Sequence, residues 1–202
     1  MKVTRTQVQE NRAHIVVTAA RLFRERGYDG VGIAELMAAA GFTHGGFYKH
    51  FRSKADLMAE AAACGISRNM EDNGDLTPAE FVDRYLSRQH RDSPGEGCTV
   101  AALCGDAARQ SADVRAAFAG GLERRVAAFQ RLVEGEEFEP CEARAKLIAM
   151  FAHVVGALVL SRACPDDTAL ADEILAVCRT QILKSLAPKH NASRRPKRTQ
   201  PS

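Results

Sequence analysis

The sequence predicts an all-α protein of about nine helices. Long segments rich in alanine, leucine, arginine and glutamate favour helix over strand. Apolar residues recur at helical spacing, as in Ile15, Ala19, Leu22 and Phe23. The chain shows no hairpin turn signal and no internal repeat. Helix-start signals are present, of which the clearest is the sequence Thr-Pro-Ala-Glu at residues 77–80.

The first two helices are predicted near the N-terminus. The first covers Val8–Arg26 and is stopped by Gly27. The second covers Gly32–Ala40 and buries its apolar side, which consists of Ile33, Leu36 and Met37. Gly41 can adopt a positive φ at low cost, so we expect a tight corner at the end of this helix.

The third helix, Thr43–His50, is short, and Thr43 is predicted to cap it by accepting a hydrogen bond from a backbone N–H. Phe47 and Phe51 lie four residues apart, so both can bury against a small core. The remaining positions are small, polar or basic: His44, Gly45, Gly46, Tyr48, Lys49 and His50. A helix, a glycine corner and a short second helix with such an outer face are typical of a reader of the DNA major groove.

Six further helices complete the prediction. They are expected at residues 54–71, 77–90, 98–110, 113–133, 140–161 and 166–187. Ser53 and Asp56 predict the cap of the helix at 54–71. Breaks are predicted at Asn73–Asp75, at the loop 91–97 and at the acidic turn 135–139.

The helix at 140–161 is apolar on more than one face and must therefore be covered on both sides. A partner subunit could cover it, and pairing the helices 140–161 and 166–187 with their two-fold mates would give a four-helix bundle. The alternative is that these helices only complete the core of their own subunit.

Charge is distributed unevenly along the chain. Residues 1–60 carry a net charge of +3, residues 61–183 carry −6 and residues 184–202 carry +6. A basic N-terminal unit on an acidic body suits a protein that touches nucleic acid at one end. The tail is basic and polar and is predicted to be disordered. Its cluster of Arg194, Arg195, Lys197 and Arg198 is interpreted as a solvated charge run, with DNA affinity as the alternative.

The cysteines favour a reducing compartment. The six are spaced without any Cys-x-x-Cys pair, which is typical of buried thiols in the cytoplasm, although a redox-sensing pair is the alternative. No signal peptide is recognisable, and the longest apolar run, Leu147–Leu160, is too short to span a bilayer. No nucleophile motif, phosphate loop or metal-ligand spacing is found, so we expect no enzyme activity, no cofactor, no metal and no membrane partner.

The segment GFTHGGFYKHFRSKADL at 41–57, preceded by the exit Gly27-Tyr28-x-Gly30, resembles the DNA-binding domain of the TetR family of bacterial transcription regulators. The resemblance covers roughly residues 10–60 and is carried by Gly41, Gly45, Tyr48 and Phe51, with Lys54 following. One departure is Val31-Gly32, where the family usually has Thr-Ser. Glycine provides no side-chain oxygen, so a phosphate contact is lost or replaced there.

The resemblance implies three regions: a helix-turn-helix domain at 1–54, a helical effector-binding and dimerisation domain at 55–187, and the tail at 188–202. It implies a cytoplasmic regulator, most often a repressor, that binds a palindromic double-stranded DNA operator as a homodimer and is released by a small-molecule effector. The implied DNA contacts are Gly32, Thr43, His44, Gly45, Gly46, Tyr48, Lys49, His50 and Lys54. Candidate pocket residues, each also interpretable as ordinary core, are Tyr85, Cys104, Phe118, Phe129, Met150 and His153.

Several alternatives stay open at this point. Tyr48 can pack or contact phosphate, and His44 and His50 can be plain surface residues. An enzyme would need a nucleophile such as Cys104 or Cys164 together with His153. A nucleoid protein would bind DNA without sequence preference through the tail, and a redox-controlled regulator would pair Cys98 with Cys104.

Overall fold

A computed structural model describes the backbone of residues 4–71, 76–133 and 140–186, and the side chains of all of these except 132, 133 and 140. These residues form nine α-helices, two short 3₁₀ helices and no β-strand, which confirms the all-α prediction. The α-helices are α1 Arg5–Arg26, α2 Ile33–Ala39, α3 Lys54–Glu71, α4 Pro78–Tyr85, α5 Arg88–Asp92, α6 Thr99–Ala107, α7 Ala112–Val133, α8 Pro140–Ala163 and α9 Ala169–Leu186. The 3₁₀ helices are His44–Lys49, called the recognition segment below, and Pro94–Glu96.

Helix α1 begins three residues before its predicted start. Thr4 is the reason, because its hydroxyl accepts a hydrogen bond from the Gln7 N–H at 3.2 Å and so caps the helix. At the other end Gly27 adopts a φ of +74° and donates its N–H to the Phe23 carbonyl at 2.8 Å, as predicted. The predicted apolar stripe of α1 is buried.

Helix α3 has the predicted bounds. The Ser53 hydroxyl accepts from the Asp56 N–H at 3.1 Å, and the Asp56 carboxylate accepts from the Arg52 N–H at 3.1 Å. Two backbone N–H groups near the start of the helix are thus satisfied by side chains. Helix α3 packs against α1 on one side and α7 on the other, so it joins the N-terminal helices to the rest of the chain.

The region after α3 departs from the prediction. Thr77 and Glu80 form the predicted capping box, but α4 ends at Tyr85 instead of continuing to residue 90. The Ser87 hydroxyl accepts from the His90 N–H at 3.2 Å and starts the separate helix α5. A serine hydroxyl that bonds to a nearby backbone N–H favours a new helix start over a continuous helix. The expected single helix at 77–90 is therefore two helices, and the second extends into the start of the expected loop at 91–97.

The predicted break at Asn73–Asp75 lies outside the described residues. The acidic turn at 135–139 and the tail at 188–202 lie outside them entirely.

Helices α8 and α9 pack against each other, and α7 and α6 lie against α8. On α8, Leu147, Val154 and Leu158 are buried within the chain, whereas Ile148 and Leu160 are exposed. The segment from Cys141 to Ala163 is long and apolar enough to cross a membrane by length and composition alone. Of the residues in its apolar stretch, 39% are buried inside the protein. Its apolar residues are therefore divided between the subunit core and an uncovered face.

A buried arginine fastens α5 to the last two helices. Arg91 is only 3% exposed, and its Nε donates to the Ser161 hydroxyl at 3.0 Å. Its Nη2 reaches the Cys164 carbonyl at 3.2 Å, and its Nη1 lies 3.0 Å from the Asp166 carboxylate. Ser161 in turn donates to the Ala171 carbonyl at 2.8 Å. Because every donor group of Arg91 is used, this buried charge stabilises the arrangement of α5, α8 and α9.

Candidate DNA interface and adjoining cavity

The corner between α2 and the recognition segment is built on Gly41. Its φ of +79° lies in the left-handed region, where glycine has no steric penalty. The Gly41 N–H donates to the Ala38 carbonyl at 3.0 Å, and the Phe42 N–H donates to the Met37 carbonyl at 2.8 Å. These bonds close the end of α2 and redirect the chain, as the sequence predicted.

The recognition segment is a 3₁₀ helix rather than the expected α-helix. The Gly46 N–H donates to the Thr43 carbonyl at 2.9 Å, and the His50 N–H donates to the Phe47 carbonyl at 2.9 Å. Two adjacent glycines lower helix propensity, which agrees with the tighter and shorter form. Thr43 occupies the N-cap position, but its side chain makes no capping hydrogen bond, so the predicted cap through its hydroxyl is wrong.

Two phenyl rings hold the recognition segment from beneath. Phe47 and Phe51 are buried with ring centroids 5.5 Å apart, and the Arg12 guanidinium lies 4.5 Å from the Phe51 centroid. The opposite side is open to solvent and carries Thr43, His44, Gly45, Tyr48 and Lys49. Tyr48 is 67% exposed, and a Cβ placed on Gly45 would meet nothing within 4 Å. The backbone at Gly45 is therefore free to approach a flat surface closely.

Three other residues predicted to contact DNA are placed differently. The Lys54 ammonium donates to the Tyr28 carbonyl inside the domain. His50 is half-buried, and burial, followed by the charges of Arg12 and Lys49, lowers its pKa, so the ring is neutral at pH 7. Gly46 is also half-buried.

Gly32 is the N-cap of α2, the helix that leads into the corner at Gly41. It is exposed and extended, with φ −81° and ψ 154°, and it makes no side-chain bond because it has no side chain. A Cβ there would meet nothing within 4 Å. The position has both the space and the backbone geometry for a serine or threonine cap.

A second feature is a cavity of about 280 Å³ between α3, α4, α5, α7 and the segment before α6. Its deep wall is made by Phe81, Tyr85, Cys98 and Arg125, and its rim by polar residues that include Glu96. Tyr85 is the one member of the predicted pocket set among the described lining residues. Phe118, Phe129 and Met150 are buried in the core without lining it, whereas Cys104 and His153 are exposed elsewhere.

His90 fixes one side of the cavity. Its Nε2 accepts from the Cys98 N–H at 3.0 Å, so the ring proton is on Nδ1, which donates to the Tyr85 carbonyl at 2.7 Å. Burial lowers the pKa of His90 and Arg162 adds to this, while the bond to Tyr85 opposes it. The neutral ring therefore joins the end of α4 to the start of α6.

Two unpartnered polar groups face into the cavity. Arg125 is 5% exposed, and no hydrogen bond or ion pair involves it within the described ranges. The Tyr85 hydroxyl is buried and also lacks a partner there. Burial, and to a lesser degree Cys98, raises the pKa of Tyr85 well above its usual value, so the hydroxyl stays protonated and can donate.

Arg125 is not in the predicted pocket set, although the sequence contains a signal for it. Arg125 follows Phe118 by seven residues and precedes Phe129 by four, which puts it on the buried side of α7. A charged residue on an apolar helix face is one of the few informative exceptions to hydrophobic patterning.

Contacts of α1 reach the edge of the cavity. Arg24 of α1 donates through Nε to the Gly95 carbonyl at 2.8 Å, and Gly95 precedes the rim residue Glu96 directly. The Asp106 carboxylate of α6 accepts from the Tyr28 N–H at 3.3 Å. These two contacts connect the cavity rim and α6 to the C-terminal end of α1.

The cysteines are free thiols. Cys98 is buried at the start of α6 and Cys104 is exposed on the same helix. Six residues of α-helix separate two positions by about 9 Å along the axis, more than a disulfide spans, so pairing would require α6 to unwind. Within the described ranges no three His, Cys, Asp or Glu side chains converge to hold a metal ion.

The chain is similar to known bacterial regulators. Residues 15–61 match the family model for bacterial regulatory proteins of the tetR family. A 57-residue segment is 42% identical to the HTH-type transcriptional regulator AcrR of Shigella flexneri, covering 28% of this chain and 26% of that protein. The match thus spans about a quarter of AcrR.

Two similarities extend further along the chain. A 134-residue segment is 28% identical to the HTH-type transcriptional repressor DhaR of Mycobacterium sp. (strain GP1), covering 62% of this chain and 67% of DhaR. The crystal structure of Escherichia coli NemR in its reduced form superposes with a TM-score of 0.69 at 20% identity, covering 87% of this chain and 96% of that one. At 20% identity this likeness shows a shared fold and nothing more. Because it covers 87% of this chain, the shared fold extends well beyond the DNA-binding helices.

Proposed function

Because the chain belongs to the TetR family of bacterial regulatory proteins, we propose that it is a transcriptional repressor. It binds a palindromic DNA operator as a homodimer and leaves the operator when a small-molecule effector binds. The observation that carries this proposal is the outward face of the recognition segment. Its glycine-bearing, cationic surface is exposed while the two phenyl rings behind it are buried.

Each exposed group on that face has a role that its chemistry supports. Gly45 lets the backbone approach the sugar-phosphate edge, since nothing projects from it. The hydroxyls of Thr43 and Tyr48 donate to phosphate, and the Tyr48 ring can also contact a thymine methyl. His44 and Lys49 reach base edges and phosphates. Gly32, Gly46, His50 and Lys54 act mainly by holding the backbone in place.

One recognition segment reads only a few base pairs, so two are required for a specific site. A two-fold dimer presents two segments to half-sites about 34–36 Å apart or a multiple of that distance. The face that supports dimerisation carries exposed apolar residues on α8 and α9, namely Ile148, Val159, Leu160, Leu170 and Val177. Burying such a patch against its two-fold mate would remove it from water.

Release by an effector requires only that the ligand bind the DNA-incompetent arrangement better than the competent one. The cavity is the proposed effector site. The contacts of Arg24 with Gly95 and of Asp106 with Tyr28 support a mechanical connection from its rim to α1. Movement of the rim on ligand binding would then alter the separation of the two recognition segments.

The test is selection of DNA fragments from the source genome by the purified full-length chain, followed by fluorescence anisotropy on the selected sequence. We expect a palindromic site bound as a dimer, and a salt dependence that reflects several phosphate contacts. Binding of all fragments with equal affinity at moderate salt would contradict the proposal.

Removal of residues 189–202 separates this proposal from non-specific DNA binding through the basic tail. A repressor of the proposed kind keeps its preference for the selected site over random DNA after the truncation. Loss of most affinity for both DNAs would instead favour a nucleoid-type protein.

A further inference from the structure

Arg125 is a buried cation for which the described part of the chain supplies no anion. It is 5% exposed, and no carboxylate lies within 4 Å of it in the described part of the chain. The acidic rim residue Glu96 is exposed and forms no ion pair with it. Leaving a charge buried and unpaired is unfavourable, so proteins retain such a group mainly where a partner arrives later.

The aromatic rings near Arg125 do not replace that partner. Its Cζ lies 5.7 Å from the Phe81 centroid and 5.8 Å from the Phe151 centroid. Both distances are close to the limit of about 6 Å at which a cation–π contact is counted. Nor can His90 serve, since both of its ring nitrogens are already hydrogen-bonded to backbone groups.

The same cavity wall presents a second donor. The buried Tyr85 hydroxyl makes no regular hydrogen bond among the described residues and has only the weakly polar Cys98 thiol beside it. Both Tyr85 and Arg125 line the cavity. A guanidinium together with a phenol hydroxyl, in a place sheltered from water, matches the oxygen atoms of a carboxylate. Phe81 contributes an adjacent apolar wall.

We propose that this cavity binds a small organic carboxylate, with its anionic head on Arg125 and Tyr85 and its apolar body against Phe81. The inference rests on the proposed function, because it names the chemical class of the effector. The volume of about 280 Å³ is just under the usual range of about 300–1,000 Å³ for ligand sites, so the ligand is compact.

A neutral ligand of the same shape would leave Arg125 unpaired. We therefore expect discrimination between an acid and its amide, which differ in charge but hardly in volume. The probes are benzoate, phenylacetate and butyrate, each set against benzamide, phenylacetamide and butyramide. At least one carboxylate should raise the melting temperature of the full chain and bind at least about tenfold more tightly than its amide in calorimetry.

Two variants separate binding from folding. Arg125→Met keeps the length and apolar stem of the side chain, so the unliganded protein should melt at or above the wild-type temperature while the carboxylate response is lost. Arg125→Lys keeps the positive charge but lacks the planar guanidinium that binds both carboxylate oxygens, so it should retain part of the carboxylate binding. A structural role alone would instead lower the melting temperature of Arg125→Met and produce no acid-over-amide preference in the wild type.

The inference is overturned if none of the three carboxylates binds the wild type, or if a carboxylate binds equally well to Arg125→Met. Operator affinity without added ligand is measured in parallel on the same samples. Specific operator binding without carboxylate binding refutes this inference and leaves the proposed function intact. Carboxylate binding without any sequence preference on DNA refutes the proposed function and leaves carboxylate recognition by the cavity intact.

Discussion

Lys49 and Lys54 carry the same charge five residues apart, yet their surroundings give them different roles. Lys49 is exposed at the end of the recognition segment, whereas Lys54 is half-buried and donates to the Tyr28 carbonyl. Sequence spacing alone treats both as phosphate contacts. The difference arises because Lys54 starts α3, where its ammonium lies 6.0 Å from the Phe23 ring centroid and donates to a backbone carbonyl.

Gly32 provides a test of the missing hydroxyl at the start of α2. Gly32→Ser adds a cap in a backbone conformation that accepts it, so we expect a gain of about 0.5 kcal/mol in the free energy of unfolding. The new hydroxyl should also strengthen operator binding by restoring a phosphate contact. Thermal unfolding and anisotropy measure the two effects.

Gly41→Ser is the matched control for that substitution. Both glycines have open space where a Cβ would be, but Gly41 has a φ of +79°. A non-glycine residue there should cost about 1 kcal/mol in the free energy of unfolding through backbone strain alone. If the two variants change stability equally, the cap explanation for Gly32 fails.

Tyr48 and Tyr28 form another matched pair, because one phenol is exposed and the other is buried without a partner. Tyr48→Phe should weaken operator binding about tenfold by removing a hydrogen bond to phosphate, with no change in stability. Tyr28→Phe removes a buried hydroxyl that has no hydrogen-bond partner among the described residues, so operator affinity should be kept and stability kept or raised. An unchanged affinity in Tyr48→Phe would show that the ring packs without using its hydroxyl.

At the scale of elements, the helix starts were predictable where local side chains cap the backbone. The capping box of Thr77 and Glu80 and the pair Ser53 and Asp56 are present as predicted. The end of α4 was missed because Ser87 reads as an ordinary helical residue until its hydroxyl is seen on the His90 N–H. The 3₁₀ form of the recognition segment was missed because residue spacing predicts helix but not its hydrogen-bond pattern.

The hydrogen bonds of His90 between α4 and α6 predict acid sensitivity. Burial puts the folded-state pKa of His90 below its unfolded value of about 6.5. Between the two values the unfolded chain binds more protons, so stability is full above about pH 6.5 and falls as the pH is lowered. One such group contributes a slope of at most about 1.4 kcal/mol per pH unit.

Urea unfolding between pH 7.5 and 5 measures that slope. His90→Gln should be less stable at pH 7.5 and should show a shallower decline on acidification. His50 shifts in the same direction and remains in both proteins, so the slope is reduced but not abolished. An unchanged slope in His90→Gln would contradict the assignment.

At the scale of the whole molecule, the two proposed sites differ in how far sequence could reach them. The DNA face lies within seventeen consecutive residues, so local pattern was sufficient to define its corner and its core side. The cavity draws Asn69, Phe81 and Arg125 from three separate helices and Cys98 from the segment before α6. Local pattern contains no information on which of these meet, and for that reason only Tyr85 of the predicted pocket set lines the cavity.

Because α8 and α9 carry an uncovered apolar face, we predict that a substitution that prevents dimerisation there also weakens operator binding. Leu160 is 60% exposed in the subunit, so Leu160→Glu should leave the fold intact while placing a charge in the proposed interface. We expect a monomer by sedimentation at micromolar concentration. The loss of the second half-site contact should then weaken operator binding by about 100-fold or more.

Leu122→Glu on α7 is the control, since Leu122 is also a partly exposed leucine, at 37%, but lies off this face. It should remain dimeric and bind DNA as the wild type does. A Leu160→Glu protein that is still dimeric would move the interface away from α8 and α9. A monomeric variant with unchanged operator affinity would instead mean that one recognition segment is sufficient. That result would contradict the requirement for two half-sites, which rests on the few base pairs that a single six-residue 3₁₀ helix can reach.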